Sequence, residues 1–317
     1  MCAYKQWSLY MADCVFDANE ALGTSENGGG GLFASGSTLR LSDCSFTNNE
    51  AVSDSGKTGG GMCNVGTQGL TMENCLFEGN RAVRRAGGLY NQGTGLTMLT
   101  DCAFLDNQVA GTSNGDGGGM YSSISGSEEE PVVVVLENCT FRGNQAIGAN
   151  ARGGGLYQNG GGESGLLATG CLFTGNSAVA DEDGGEGGGL YNHPNAPASG
   201  LILTKTQVCG NFPDQISGEW TDNGCNTEKE TCCPADFDDS GSVDVNDLLQ
   251  FLEVFGTIPD DADCSMRFDL NRDGFISVDD LLLFLQDFGN ACNGGTPLKV
   301  RPDGGSMSGR PGTASGS

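Results

Sequence analysis

The chain has 317 residues, enough for two domains, and its 54 glycines and nine prolines follow no G-x-y period, which excludes a collagen-like fibre. Forty-one acidic against 15 basic residues give a formal charge of −26, which disfavours a phosphate backbone or an anionic membrane surface and suits divalent cations. No run approaches the roughly 18 apolar residues of a membrane-spanning helix, and the longest, residues 132–136, is strand-sized.

The first residues, Met1-Cys2-Ala3-Tyr4-Lys5-Gln6-Trp7, lack the basic and apolar regions of an export signal. Leu9, Met11, Cys14 and Phe16 already read as mid-repeat positions, so the expectation is a chain that starts inside a longer protein. From there a frame C-x-F-x-x-N recurs six times, beginning at Cys14, Cys44, Cys75, Cys102, Cys139 and Cys171. Its phenylalanines are Phe16, Phe46, Phe77, Phe104, Phe141 and Phe173, and its asparagines are Asn19, Asn49, Asn80, Asn107, Asn144 and Asn176. Successive cysteines lie 30, 31, 27, 37 and 32 residues apart, a period that marks a stacked array.

A glycine cluster followed by apolar residues recurs with the frame, at residues 29–33, 59–63, 87–90, 117–121, 153–157 and 187–191. Between cluster and cysteine runs a segment such as Leu70-Thr71-Met72-Glu73, whose period of two marks a strand with one buried face. Glycine at about 1 kcal/mol per helical position argues against helices here. Each repeat is expected to hold two or three short strands and to form one coil of a parallel β-helix. Cysteine and phenylalanine then fill the interior, and asparagine occupies a turn where its amide bonds to the copy above. Cys209 keeps the repeat spacing and is read as a seventh member of an inward thiol column.

The repeated F-x-x-N with G-G-[GA]-[LIM] resembles the signature of the chlamydial polymorphic outer membrane proteins and of related right-handed β-helix proteins, planctomycete ones among them. The resemblance implies that fold over residues 1–210, with adhesion and cell-surface display as the family roles. No C-terminal membrane barrel follows in this chain.

Within the repeats, Ser127-Glu128-Glu129-Glu130 and Asp181, Asp183 and Glu186 form acidic tips, read mainly as solvated loops. The doublet Arg84-Arg85 is read as a solvated face and His193, the single histidine, as solvent-exposed. Residues 211–233, with Trp220, are expected to cap the open end of the stack and lead into a different module. Cys225, Cys232, Cys233, Cys264 and Cys292 bracket that module and read as a disulfide framework with the pairing open. Zinc is the weaker alternative, since no C-x-x-C pair accompanies them.

Asp236-x-Asp238-x-Ser240-Gly241-Ser242-Val243-Asp244-x-x-Asp247 places oxygen groups where a twelve-position calcium loop needs them. The same frame returns 33 residues later as Asp269-x-Asn271-x-Asp273-Gly274-Phe275-Ile276-Ser277-x-x-Asp280. Two calcium ions are therefore expected, with Ser242 and Phe275 contributing backbone carbonyls. Apolar helices at residues 247–255 and 279–288 should follow the loops and pair. Two loop–helix segments without a preceding helix, with aspartate at position 12, resemble dockerin domains, whose family role is calcium-dependent docking to cohesin modules. Positions 10 and 11 are Val245-Asn246 and Val278-Asp279 in place of the usual serine–threonine pair. After Cys292 the composition, residues 293–317, reads as a disordered tail.

The resulting expectation is a mainly β chain: a right-handed parallel β-helix at 1–210, a cap at 211–233 and a small α-helical dockerin-like domain at 234–292. It is read as secreted or surface-displayed and non-catalytic, with a cohesin-like protein or an extracellular polysaccharide as partner. The alternative is a polysaccharide lyase or glycoside hydrolase of β-helix fold, for which Asp181, Asp183 and Glu186 are the clustered carboxylates in the repeats.

Overall fold

The computed structural model describes residues 2–4, 8–22, 27–36, 38–53, 57–111, 114–125, 133–161, 164–180, 184–194, 200–259 and 264–292. The acidic segment 127–130, Asp181 and Asp183, and residues 293–317 lie outside them.

The coil that contains Cys75 shows how the repeat folds. Its strands are Met62–Val65, Gly69–Glu73, Leu76–Glu78 and Arg81–Ala82. In the second strand Leu70 and Met72 are buried while Glu73 is exposed, as the two-residue alternation requires. Where two or three strands per repeat are expected, this coil has four. The additional one, Arg81–Ala82, is two residues long and leaves no periodic trace in the sequence.

Strands pair in parallel with their equivalents in neighbouring coils, giving three eight-stranded sheets, one six-stranded sheet and one two-stranded sheet of Asn27–Gly29 with Lys57–Gly59. The chain bends between sheets at residues with positive φ, such as Asn74 (52°) and Gly79 (64°). Asparagine, aspartate and glycine tolerate that conformation, which is why they recur at the corners. A side chain at Gly87 would collide with the backbone of Gln108 and Gly118 in the next coil, so the glycine cluster is a close-approach site.

Register is uniform: Phe77 lies between Phe46 and Phe104. The six rings stack at centroid spacings of 4.6–4.8 Å, nearly parallel, along the interior. The asparagine column is a hydrogen-bonded ladder. Asn80 Nδ2 donates to Phe46 O (2.8 Å) and to Asn107 Oδ1 (2.8 Å), while Asn80 Oδ1 accepts from the backbone N–H and the amide of Asn49. The side chain is fully buried and every polar atom of it has a partner. Cys44, Cys75, Cys102, Cys139 and Cys171 are buried free thiols, and burial pushes the Cys139 thiol well above its ordinary range, which leaves it inert.

Cys209 departs from the expected thiol column. It pairs in register with Thr174, one residue beyond the phenylalanine position that Val208 takes here, and Thr206 occupies the inward site that Cys171 fills below. The Thr206 hydroxyl donates to Thr204 O (3.0 Å), as the column cysteines do two residues back. Asn211, which continues the asparagine ladder above Asn176, sets this register, and Cys209 is disulfide-bonded to Cys232.

Stacking outlasts the sequence repeat. Ile216–Ser217, Thr221–Asp222 and Thr227–Lys229 add an eighth layer to three sheets. The asparagine ladder ends inside this layer: Gln215 Oε1 accepts from both the backbone N–H and the amide of Asn211 (3.0 and 2.9 Å), replacing the missing next copy. Trp220 packs partly buried against the end of the core.

The C-terminal unit is built from two ten-residue helices, α1 (Val245–Val254) and α2 (Val278–Asp287), each preceded by one of the acidic loops. Phe237, Val243, Phe251, Phe268, Ile276 and Phe284 form its core. Val243 pairs with the segment after α2, donating to Asn290 O, and Ile276 pairs with the segment after α1, donating to Thr257 O. The two halves are thereby interlocked. Cys233–Cys292 closes the unit and Cys225–Cys264 ties it to the eighth layer of the solenoid.

Candidate metal centres and an axial groove

Each acidic loop is shaped by the helix that follows it. In the first, Asp244 is the N-cap of α1, and Asp247 completes a capping box. Asp247 Oδ1 accepts from the backbone N–H groups of Phe237 and Asp238 (2.6 and 3.1 Å) and Oδ2 from that of Asp244 (2.8 Å). Asp236 accepts from Ser240 and Gly241, closing the loop over Gly241, whose φ of 84° excludes most side chains. The second loop repeats this pattern. Asp280 accepts from Asn271 and Ser277, Asp269 from Asp273 and Gly274, and Gly274 has φ 86°.

The structure brings together carboxylate oxygens of Asp236, Asp238 and Asp247 within 4.8 Å of one another. Asp236, Asp247, Asp269 and Asp280 are all buried. Ser240 Oγ bonds to Ser242 O, the carbonyl at position 7. In the second loop Asn271 bonds to Asp273 (2.9 Å), and Ser277 caps α2. Burial, with Asp280 and Asp273 close by, raises the Asp269 carboxyl. The neighbouring cation, Lys229, is paired to Asp239, which is not one of the expected ligands. An oxygen-only donor set, rich in buried carboxylates with lone pairs to spare, fits a hard divalent cation. Cys233 and Cys292 also approach Asp236, but as a disulfide they carry no thiolate and do not make a zinc site.

Beside the second loop runs a groove of about 840 Å³ along the solenoid axis. Its lining repeats by register: Tyr10, Arg40 and Thr71 share one column, and Ala103, Thr140, Leu172 and Gln207 another. The corner residues Asp43, Asn74, Asp101 and Asn138 form its rim, and Arg142 joins the lining. Pro234, Leu270 and Arg272 of the C-terminal unit line it at the last coils, where Arg272 Nη1 donates to Gly170 O (2.9 Å).

On another face lies a cluster that sequence reasoning missed. Arg85, Asp116, Arg152 and Glu186 bridge one another in successive coils with alternating charge, beside the stacked rings of Tyr90, Tyr121, Tyr157 and Tyr191. Arg85 lies over the Tyr121 ring (5.1 Å) and Arg152 over that of Tyr191 (5.3 Å). The Arg84-Arg85 doublet is therefore half-buried, with Arg85 packed on aromatic surface, and not a fully solvated face. Asp116 is 5% exposed, its Oδ1 has no hydrogen-bond partner, and burial pushes it up to about 6 against the pull of Arg85 and Arg152. Stacking also gives Glu186 a basic partner, Arg152, at 3.5 Å. His193 is half-buried against Tyr157 and Tyr191, and burial and then Arg152 lower its basicity, so it is not the freely solvated histidine expected. The available signal was a charged residue one or two positions before each of the last four glycine clusters, alternating in sign from Arg85 to Glu186.

No curated protein sequence and no solved structure matches the chain. A family model for the right-handed β-helix region matches residues 6–198, more than half of the 317, and coincides with the stacked coils. The chain belongs to the right-handed β-helix family.

Proposed function

We propose that this is an extracellular β-helix protein whose C-terminal unit binds two calcium ions and docks the solenoid to a cohesin-like protein in an extracellular assembly. The observation that carries this reading is duplication of an exposed apolar face. Val245, Leu249 and Leu252 on α1 are 50–57% exposed, and their counterparts 33 residues on, Val278, Leu282 and Leu285 on α2, are 48–56% exposed. Helices that leave a valine and two leucines at i, i+4 and i+7 in water present an interaction surface. The same 33-residue offset relates the acidic loops, so ligand set and apolar face are repeated together. Asp236, Asp238, Ser240, Ser242, Asp244 and Asp247 would hold one ion, and Asp269, Asn271, Asp273, Phe275, Ser277 and Asp280 the other. Bound calcium neutralises the crowded carboxylates and orders the loops that start each helix. Three disulfides support an oxidising, extracellular setting.

The test is binding of the full chain to purified cohesin domains by surface plasmon resonance. Calcium-dependent binding, abolished by EGTA and by Leu249→Asp with Leu282→Asp, is the expected result. Absence of binding, or binding indifferent to calcium and to both substitutions, would overturn the docking role.

A second reading rests on Asp116. A buried carboxyl that titrates near 6 beside two guanidinium groups and a tyrosine ladder has the attributes of a general acid–base group. Under it the chain cleaves a polysaccharide, and Asp116→Asn abolishes turnover in a depolymerisation screen. No turnover by the unsubstituted chain, or full turnover in the variant, would remove this reading.

A further inference from the structure

We infer that a line of ordered water molecules binds inside the solenoid, along the corner between the Met62–Val65 and Gly69–Glu73 strands and their equivalents, with its best-formed site beside Gly93.

A second buried polar column runs along that corner. The strand Leu89–Gln92 turns Leu89 and Asn91 to the interior and Tyr90 outward. In register with Asn91 stand Asn64, Ser122, Gln158 and Asn192, and all five are at most 1% exposed. Unlike the Asn80 column, this one does not close on itself. Asn64 Nδ2 donates to Asn91 Oδ1 (2.7 Å) and Asn91 Nδ2 to Thr97 Oγ1 (3.3 Å), and the ladder breaks at Ser122, whose Oγ has no partner. Among the described residues ten buried side-chain nitrogen and oxygen atoms lack a hydrogen-bond partner, and seven lie at this corner: Asn64 Oδ1, Thr67 Oγ1, Ser122 Oγ, both amide atoms of Gln158, Ser164 Oγ and Asn192 Oδ1. Each would forfeit its hydration on folding, so their concentration in one place points to a polar ligand.

Turn length explains the break. Leu70, Thr97, Val134, Leu166 and Leu201 are equivalent positions in the next sheet. Asn64 and Asn91 precede theirs by six positions, whereas Ser122, Gln158 and Asn192 precede theirs by 12, eight and nine. In the C-x-F-x-x-N turn the spacing is constant and identical amides meet. Here unequal turns bring unlike groups together, and a small molecule that both donates and accepts can join them.

Beside Gly93 the site is defined by distances. A Cβ on Gly93 would meet Thr67 Oγ1 and Thr97 Oγ1 at 3.5 Å and Asn91 Oδ1 at 3.7 Å, its nearest neighbours beyond the adjoining residues. Glycine thus leaves three buried side-chain oxygens around one small space. A water there donates to the second lone pair of Asn91 Oδ1 and exchanges hydrogen bonds with the two hydroxyls, and three partners are typical of a buried water. A metal ion is the wrong occupant of the line: these oxygens include no carboxylate, and Gln158 Nε2 requires an acceptor.

The test turns on the sign of two substitutions. Gly93 does not have a positive φ and a methyl there meets only ordinary contacts, so in a dry corner Gly93→Ala should raise the melting temperature of the full chain. With water bound it should lower it, because the methyl displaces the water. Thr67→Val should lower the melting temperature of the parent, where the hydroxyl serves the water, and raise it in the Gly93→Ala background, where that hydroxyl is buried without a partner. A crystal structure of the parent chain should show water within hydrogen-bond reach of Thr67 Oγ1, Thr97 Oγ1 and Asn91 Oδ1, and further waters on Ser122 Oγ and Gln158. A dry corner, a raised melting temperature in Gly93→Ala, or one sign for Thr67→Val in both backgrounds would overturn the Gly93 site. Water beside Gly93 with none on Ser122 or Gln158 would overturn the line.

Discussion

Phe104 sits between two identical rings, Phe77 and Phe141, at 4.8 and 4.6 Å, and the same contact recurs down the stack. Phe251 in the C-terminal unit faces a single duplicate, Phe284, at 6.0 Å, in a core of eight buried side chains. The solenoid distributes its stability over repeated nearest-neighbour interfaces, so damage stays local. The C-terminal unit has too little apolar interior to stand on packing alone, and it concentrates stability in crosslinks and in loops dense with carboxylates. A repeated structure gains order by stacking; a small one gains it from bonds that its core does not supply.

The contrast is broken most severely at the loops. Asp236→Ala with Asp269→Ala removes the first ligand of each loop, and the unit is expected to become protease-sensitive throughout 234–292 in the presence of calcium, while the solenoid stays intact. Limited proteolysis read by mass spectrometry checks this, and cleavage spread evenly over both regions would contradict it. Next, Phe104→Ala should destabilise the solenoid by about 3–5 kcal/mol in denaturant unfolding. Phe16→Ala should cost less, because Phe16 is half-buried in the first coil and has one stacked neighbour among the described residues. Equal losses would mean that the coils do not stack as independent layers.

Asn107→Ala should follow at about 2 kcal/mol or more, since it orphans Phe77 O and the amide and backbone N–H of Asn80. Hydrogen exchange at Asn80 reads the loss directly, and unchanged protection there would contradict the ladder.

The remaining effect is pH-dependent and confined to one site. The folded pKa of Asp116 is raised to about 6 from 3.8, so between those values the folded state holds more protons than the unfolded one. Stability contributed at this site therefore falls as pH rises from about 4 to 6, by up to about 3 kcal/mol. Asp116→Asn should stabilise the solenoid at pH 7 and match the parent near pH 4; a constant difference across that range would count against the assignment.

The solenoid was legible because its signals are local and repeated: Phe77 and Asn80 occupy a frame whose meaning follows from their recurrence. Cys209 was misread for the same reason. Its spacing imitates the cysteine column, while the register is set by Asn211 and the inward site belongs to Thr206. The Arg85–Asp116–Arg152–Glu186 ladder was not legible, because its members are 31, 36 and 34 residues apart and acquire their environment only when coils stack. The groove is likewise a product of register and of where the disulfides hold the C-terminal unit. In the acidic loops the recurrence of oxygen-bearing side chains was readable from spacing, whereas the capping boxes that fix Asp247 and Asp280 emerge from the helices.

The proposed cation loops are what the C-terminal unit is expected to depend on. Calcium titration of the chelator-stripped chain by calorimetry addresses it directly. Two ions per chain are expected, one lost in Asp236→Ala and the other in Asp269→Ala, with rising protease resistance of 234–292 as they bind. No calcium binding, or binding that persists unchanged in the double variant, would contradict it.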